Sequence, residues 1–232
     1  MFLDGFPAGP FGTNTYVLAA PGERALIVDP GFDSTAPLRE MLASHGLTPG
    51  AVLLTHGHLD HTFSVVPVCA TTDIPAYIHP RDRELLLDPM RAMSAQFAPM
   101  IAGMAFTEPA EVIELPDADS ASLDLAGLRI TVSLAPGHTQ GSVTFGLADG
   151  GPAGEPVLLS GDVLFAGSIG RTDLPGGSYE QMIASLARVI LPLPDQTLVL
   201  SGHGPGTTIG RERASNPYLR ELAPGAAKGR SL

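Results

Sequence analysis

Four apolar runs in this chain each end on a residue type that binds metal ions, and that pattern limits the folds open to it. AVLLT (51–55) runs into His56, ITVSLAPG (130–137) into His138, PVLLSG (156–161) into Asp162 and TLVLSG (197–202) into His203. Each run is short, rich in branched aliphatic residues and followed by a polar residue or a tight turn, which reads as a strand ending in a loop. If these strands share sheets, their carboxyl ends present all four loops along one edge, the usual place for a site in layered α/β folds.

The densest of the four loops is THGHLDH (55–61), with three histidines and an aspartate in a chain of only seven histidines. His56 and His58 are separated by one residue, so in an extended loop their rings converge on one point. Asp60 and His61 can then face a second. Adding His138 and His203, five of the seven histidines belong to one constellation. A closed structural zinc site more often uses cysteine, and this chain has only Cys69, which in PVCATT reads as a small core residue. His45 before Gly46 and His79 before Pro80 read as a helix end and a strand end.

Between these segments the chain alternates strands and helices. Strands are expected at 15–19, 25–29, 111–115, 128–134 and 142–147, and helices at 34–45 and 178–190. ADGGPAGEP (148–156) is a turn and marks no boundary. The expectation is one α/β domain over 1–232, with a helical insertion near 81–106 and a loose Gly/Ala-rich tail near 223–232.

Charge excludes one class of function. The net charge is −11 with 13 Lys and Arg, and no basic run could track phosphates, so no nucleic-acid partner is expected. The start, MFLDGFPAGPFG, lacks a basic segment followed by an apolar one, and no stretch approaches 18 apolar residues. A soluble cytoplasmic protein with no membrane partner is expected. The partner left is a small-molecule substrate, and the sequence assigns no oligomeric state.

THGHLDH, APGHTQGS, SGDVLF and SGHGPGT together resemble the metallo-β-lactamase superfamily. GSIGRTDLPGGS (167–178), PLPDQT (192–197) and IGRERASNPYL (209–219) are similar to its small glyoxalase II-type hydrolases, the hydroxyacylglutathione hydrolases. The resemblance implies an αββα four-layer sandwich with the metals at one edge. It implies two divalent metal ions, with zinc suited to the imidazole and carboxylate donors and iron or manganese compatible. His56, His58 and His138 would hold one ion and Asp60, His61 and His203 the other, with Asp162 bridging. Asp29 in IVDPG would orient a ligand histidine.

Catalysis would centre on His58, Asp60 and Asp162. Two such ions lower the pKa of a shared water and polarise a carbonyl, and a thioester needs no general acid because its thiolate leaves readily. The implied activity is hydrolysis of S-acyl thioesters such as S-lactoylglutathione. Alternatives on related ligands are a mononuclear iron persulfide dioxygenase, a lactonase and a silent member that binds metal or a partner. The silent member is expected to have a damaged ligand set, and none of the seven ligands is missing.

Two features depart from the pattern. Phe63 and Ser64 follow the motif where small residues are common, so the next helix is expected to pack differently. The resemblance would place thiol-binding cations near the carboxyl end, where NPYLRELAPGAAKGRSL (216–232) offers Arg220, Lys228 and Arg230 although its Gly/Ala-rich end reads as a loose tail. Met90, Met93, Phe97, Ile101 and Met104 are near helical spacing and read either as core cover, as an oligomer contact or as a lid over the metals. Arg171 either anchors an anionic substrate or pairs with Asp173.

Overall fold

A computed structural model describes residues 1–94, 96 and 98–222. The expected tail at 223–232 and Phe97 lie outside the described residues. The first sheet contains β1 (Phe2–Ala8), β2 (Thr13–Ala19), β3 (Ala25–Val28), β4 (Pro49–Leu53), β5 (Ala76–Ile78) and β6 (Val112–Glu114), in that order across the sheet. The first three strands are antiparallel and the pairs from β3 to β6 are parallel.

The second sheet contains β7 (Ser120–Leu125), β8 (Leu128–Leu134), β9 (Val143–Leu147) and β10 (Val157–Gly161). After a small two-stranded sheet of β11 (Leu164–Phe165) and β12 (Ser168–Ile169), it is completed by β13 (Leu198–Ser201) and β14 (Thr207–Thr208). Its order is β14-β13-β10-β9-β8-β7. Because β9 is antiparallel to both β8 and β10, and β13 is parallel to β10, strands β8, β10 and β13 all point the same way.

Alternation in β8 sends Leu128, Ile130, Val132 and Leu134 inward. There they meet Phe145 and Leu159 of their own sheet and Leu26, Val28 and Leu53 of the other. The outer face of the first sheet packs Ile27, Val52 and Ile78 beneath helices α1 (Thr35–Ser44) and α3 (Val65–Thr72). The short α2 (Leu59–Thr62) and α4 (Ala98–Ile101) lie in loops, α4 following two 3-10 segments over Pro80–Leu86 and Pro89–Ala92. The outer face of the second sheet is covered by α5 (Tyr179–Ser185), α6 (Ile209–Ser215) and α7 (Pro217–Leu222). The layers are therefore helix, sheet, sheet, helix, the αββα sandwich.

Local chemistry accounts for the helices. In α1, Leu38 and Leu42 bury one stripe, and Gly46 just past its end takes a left-handed φ of 63°. The Ser178 hydroxyl accepts the Gln181 N–H at the start of α5, which continues as a π-helical stretch over Leu186–Ile190. Met182, Leu186 and Ile190 recur every four residues and are fully buried. The expected helix at 178–190 is thus α5 plus a wider last turn.

The two sheets meet at one edge. The Val143 N–H at the start of β9 donates to the Thr55 carbonyl just past β4 at 2.8 Å, and the Asn14 N–H of β2 donates to the Gly202 carbonyl just past β13 at 2.7 Å. The carboxyl ends of β4, β8, β10 and β13 are thereby gathered into one cleft.

Candidate metal centre

THGHLDH leaves β4 as an extended loop through His58 and turns into α2, which carries Asp60 and His61. Gly57 is required between the two histidines, because a Cβ there would stand 2.8 Å from the Asp82 carbonyl oxygen and from Leu85. Gly202 has a similar role on the floor of the cleft. A Cβ on it would collide with Asp162 and lie 2.6 Å from His61 Cε1.

The five histidines and two aspartates of the sequence analysis converge. His58 Nδ1 lies 2.8 Å from His138 Nε2, and His61 Nε2 lies 3.2 Å from His203 Nε2. Asp162 sits between the two groups, with Oδ1 3.4 Å from His61 Nε2 and Oδ2 3.5 Å from His138 Nε2 and 3.6 Å from His203 Nε2. Asp60 Oδ2 is 3.2 Å from His203 Nε2. Two of the resulting groups, His56/His58/His138 and Asp60/His61/His203, have the composition and spacing to hold metal ions.

Outer partners assign the ring nitrogens. His138 Nδ1 faces the Arg171 carbonyl at 2.8 Å, His203 Nδ1 the Phe11 carbonyl at 3.2 Å and His61 Nδ1 the Asp29 carboxylate at 2.9 Å. Each carbonyl or carboxylate takes an N–H, which turns Nε2 of all three rings toward the cluster, where it carries a lone pair whenever the ring is neutral. Two lone pairs facing each other at 3.2 Å repel unless a proton or a cation lies between them.

Buried His56 Nε2 and Asp162 Oδ1 have no hydrogen-bond partner at all, a costly arrangement for an apolar-lined cleft. The donors of these residues fit metal ions.

Electrostatics agree. Burial, reinforced by neighbouring His138, lowers the pKa of His58 to about 3, so its ring is neutral at pH 7. Burial likewise pushes His56 well below the usual histidine range. Burial opposes charge on His61, yet Asp162, Asp60 and Asp29 together raise it well above that range. Three carboxylates around one imidazole are a field arranged for positive charge.

Asp29 also belongs to a group with His56 and His61, but its carboxylate is already used. It accepts the Thr55 N–H at 2.8 Å, the Thr55 hydroxyl at 2.6 Å and His61 at 2.9 Å. Its backbone is left-handed, φ 48°, a strained state for a side-chain-bearing residue that these bonds maintain.

Asp82 is a second carboxylate of this kind, one not among the residues expected from the sequence. It is buried and accepts the Gly57 N–H at 2.9 Å, the Gly141 N–H at 2.7 Å and the Thr139 hydroxyl at 2.6 Å, so it ties the His56–His58 loop to the His138 loop. Asn14 and Tyr16 hold the third loop, both donating to the Ser201 carbonyl, at 2.9 and 2.8 Å. An aspartate in RDRE and an asparagine in a strand carry no signal that separates them from surface residues.

Beside the cluster lies a cavity of about 470 Å³. Met93 and Met100 line it, whereas Met90, Ile101 and Met104 line a separate groove, so the expected methionine stripe is split between two surfaces. Phe63 stacks on Phe32 of the cavity wall with centroids 3.9 Å apart, and the Ser64 hydroxyl donates to the Gly31 carbonyl at 2.6 Å. Arg171 lines the cavity with its guanidinium paired to Asp173. His45 caps the end of α1, His79 caps the first 3-10 segment, and Cys69 is buried in the core. Among the described residues no helix is long and apolar enough to cross a membrane.

The family model for the metallo-beta-lactamase superfamily matches residues 8–203. An uncharacterized protein of Mycobacterium tuberculosis is 46% identical over 96% of this chain and 100% of its own length. A probable metallo-hydrolase of Bacillus subtilis is 37% identical, covering 92% of this chain and 95% of that protein. The hydroxyacylglutathione hydrolase GloC of Haemophilus influenzae is 30% identical, covering 94% and 98%. Among solved structures, the BLEG-1 B3 metallo-beta-lactamase superposes with a TM-score of 0.81 at 41% identity, covering 94% of this chain and 99% of that one. TTHA1623, in a di-iron-bound form, superposes at 0.75 and 37% identity, covering 94% and 100%.

Proposed function

Since the chain belongs to the metallo-beta-lactamase superfamily, we propose that it is a two-metal hydrolase that cleaves S-acyl thioesters of a small thiol, with S-lactoylglutathione as the reference compound. The observation that carries this reading is the convergence of lone-pair nitrogens and an unpartnered carboxylate oxygen from four strand ends on one cleft. His56, His58 and His138 would hold one ion, Asp60, His61 and His203 the other, and Asp162 both. When bound, two divalent ions supply a water acidic enough to react at neutral pH and a Lewis acid for the carbonyl.

The chain's own residues do the rest. Asp29 fixes the His61 ring through Nδ1, and the Arg171 and Phe11 carbonyls fix His138 and His203. Asp60 Oδ2, partly exposed to the cavity and 3.4 Å from the Thr13 hydroxyl, would accept the proton of the attacking water. The apolar wall excludes other water from the acyl group. In the overall reaction a C–O bond forms, the C–S bond breaks, and the thiolate leaves without a general acid. The similarity to the hydroxyacylglutathione hydrolase of Haemophilus influenzae supports thioester chemistry on this cluster.

Elemental analysis of protein purified without added metal should approach two ions per chain. That preparation is then compared on S-lactoylglutathione, an acyl-homoserine lactone and a β-lactam at equal concentration, with oxygen uptake measured on glutathione persulfide. Fastest turnover of the thioester is expected. Turnover of the lactone or β-lactam alone would remove the thioesterase reading, and oxygen uptake by protein holding a single iron would replace it with a dioxygenase.

A further inference from the structure

The cavity is poorly suited to an anionic thiol. Its wall is built from Phe11, Phe32, Met93, Met100, Phe165 and Leu174 around the histidine cluster. Among the described residues, Arg171 is the single Lys or Arg in that wall, and its Nε and Nη2 both donate to the Asp173 carboxylate at 2.7 Å. Both side chains are at least half exposed, so the pair itself contributes little stability and opens easily.

Opening it does not remove the carboxylate, however. Asp173 is fixed two residues from the cation, and an incoming anion must compete with it for the guanidinium fork. The chain's net charge of −11 adds nothing to attract such an anion.

We infer that the cavity selects thioesters whose thiol portion is uncharged and apolar, and that Asp173 sets this preference by occupying the cation of the wall. The inference rests on the hydrolase reading above and narrows its substrate class. An aromatic or alkyl thiol gains burial against phenylalanine faces and adaptable methionine side chains. A thiol carrying two carboxylates gains one already paired arginine.

The test uses two lactoyl thioesters with the same acyl group, one of benzyl mercaptan and one of glutathione, hydrolysed by the metal-loaded full chain. The expected result is a kcat/KM about tenfold or more higher for the benzyl thioester, expressed mainly in KM. Asp173→Asn should lower KM for the glutathione thioester relative to the benzyl one by about threefold or more. In parallel, calorimetry on metal-free protein compares benzyl propyl thioether with S-propylglutathione, and the neutral thioether should bind more tightly.

Preference for the glutathione thioester, or a KM ratio unmoved by Asp173→Asn, overturns the inference while leaving the hydrolase intact. Failure to hydrolyse either thioester, with the neutral thioether still bound more tightly, overturns the hydrolase reading and supports the selectivity of the cavity.

Discussion

The floor and the wall of the cleft are built on opposite principles. On the floor nearly every polar atom has an assigned partner: Asp29 accepts three hydrogen bonds, Asp82 accepts three, and three histidines each have one ring nitrogen committed to an outer acceptor. The exceptions are His56 Nε2, His58 Nε2 and Asp162 Oδ1, all atoms of the cluster's own residues. The wall, in contrast, is made of loops, the short α4 and the two-strand sheet, with Met100 at 39% and Phe11 at 37% exposure. The difference separates two tasks. Chemistry requires donor atoms held to a fraction of an ångström, whereas selecting a substrate body requires only area and the absence of the wrong charge.

Four measurements would sharpen or break that comparison. Asp162→Asn strikes the one residue that faces both groups, so turnover should fall by more than about 100-fold, beyond what loss of an outer partner produces. Elemental analysis of the variant should fall below two ions per chain. Unchanged metal content would show that the cluster is not a shared centre.

Metal removal tests the floor as a whole. If each of two ions is present at about 100 times its Kd for the folded floor, together they add about 5 kcal/mol, and chelation should lower Tm by about 10–20 °C for a chain of this size. A Tm indifferent to chelator would mean that the clustered lone pairs are tolerated without a cation.

Asp82→Asn reaches the same floor from outside. An amide oxygen can still accept, but its NH2 would face donors, so about 2 kcal/mol of stability should be lost together with about tenfold in metal affinity. Loss of stability with unchanged metal affinity would make Asp82 a fold residue alone. Smallest of all, Met100→Ala in the wall should change stability by no more than about 0.5 kcal/mol and leave metal content unaltered, with its effect confined to KM. A fall in metal content there would erase the distinction between the two regions.

The same division decided what was legible in the sequence. The strand-end residues were readable because histidines and aspartates following apolar runs are rare unless they have a chemical use. Strands β8 and β9 were readable because each buries at least one face, leaving period-two or continuous apolar runs.

Other elements left no such pattern. Strands β1 and β7 lie at sheet edges, where Pro7 is tolerated in FLDGFPA and SASLDL exposes alternate polar residues. Strand β5 is only three residues long. Asp82 stayed hidden because its partners are two backbone amides and a hydroxyl 57 residues away. Only the fold brings those together.

One contact described above links the two regions. The proton on His138 is positioned by the backbone carbonyl of Arg171, not by its side chain. Position 171 therefore answers to two masters that mutation can address separately. On the selectivity inferred above, its side chain is open to replacement, and with it the taste of the cavity for charged or neutral ligands. The peptide group beneath must stay where it is, or the imidazole loses its orientation. On that same inference, a lineage could change substrates at this position many times over without disturbing the histidine cluster, provided each new side chain left the path of the main chain untouched.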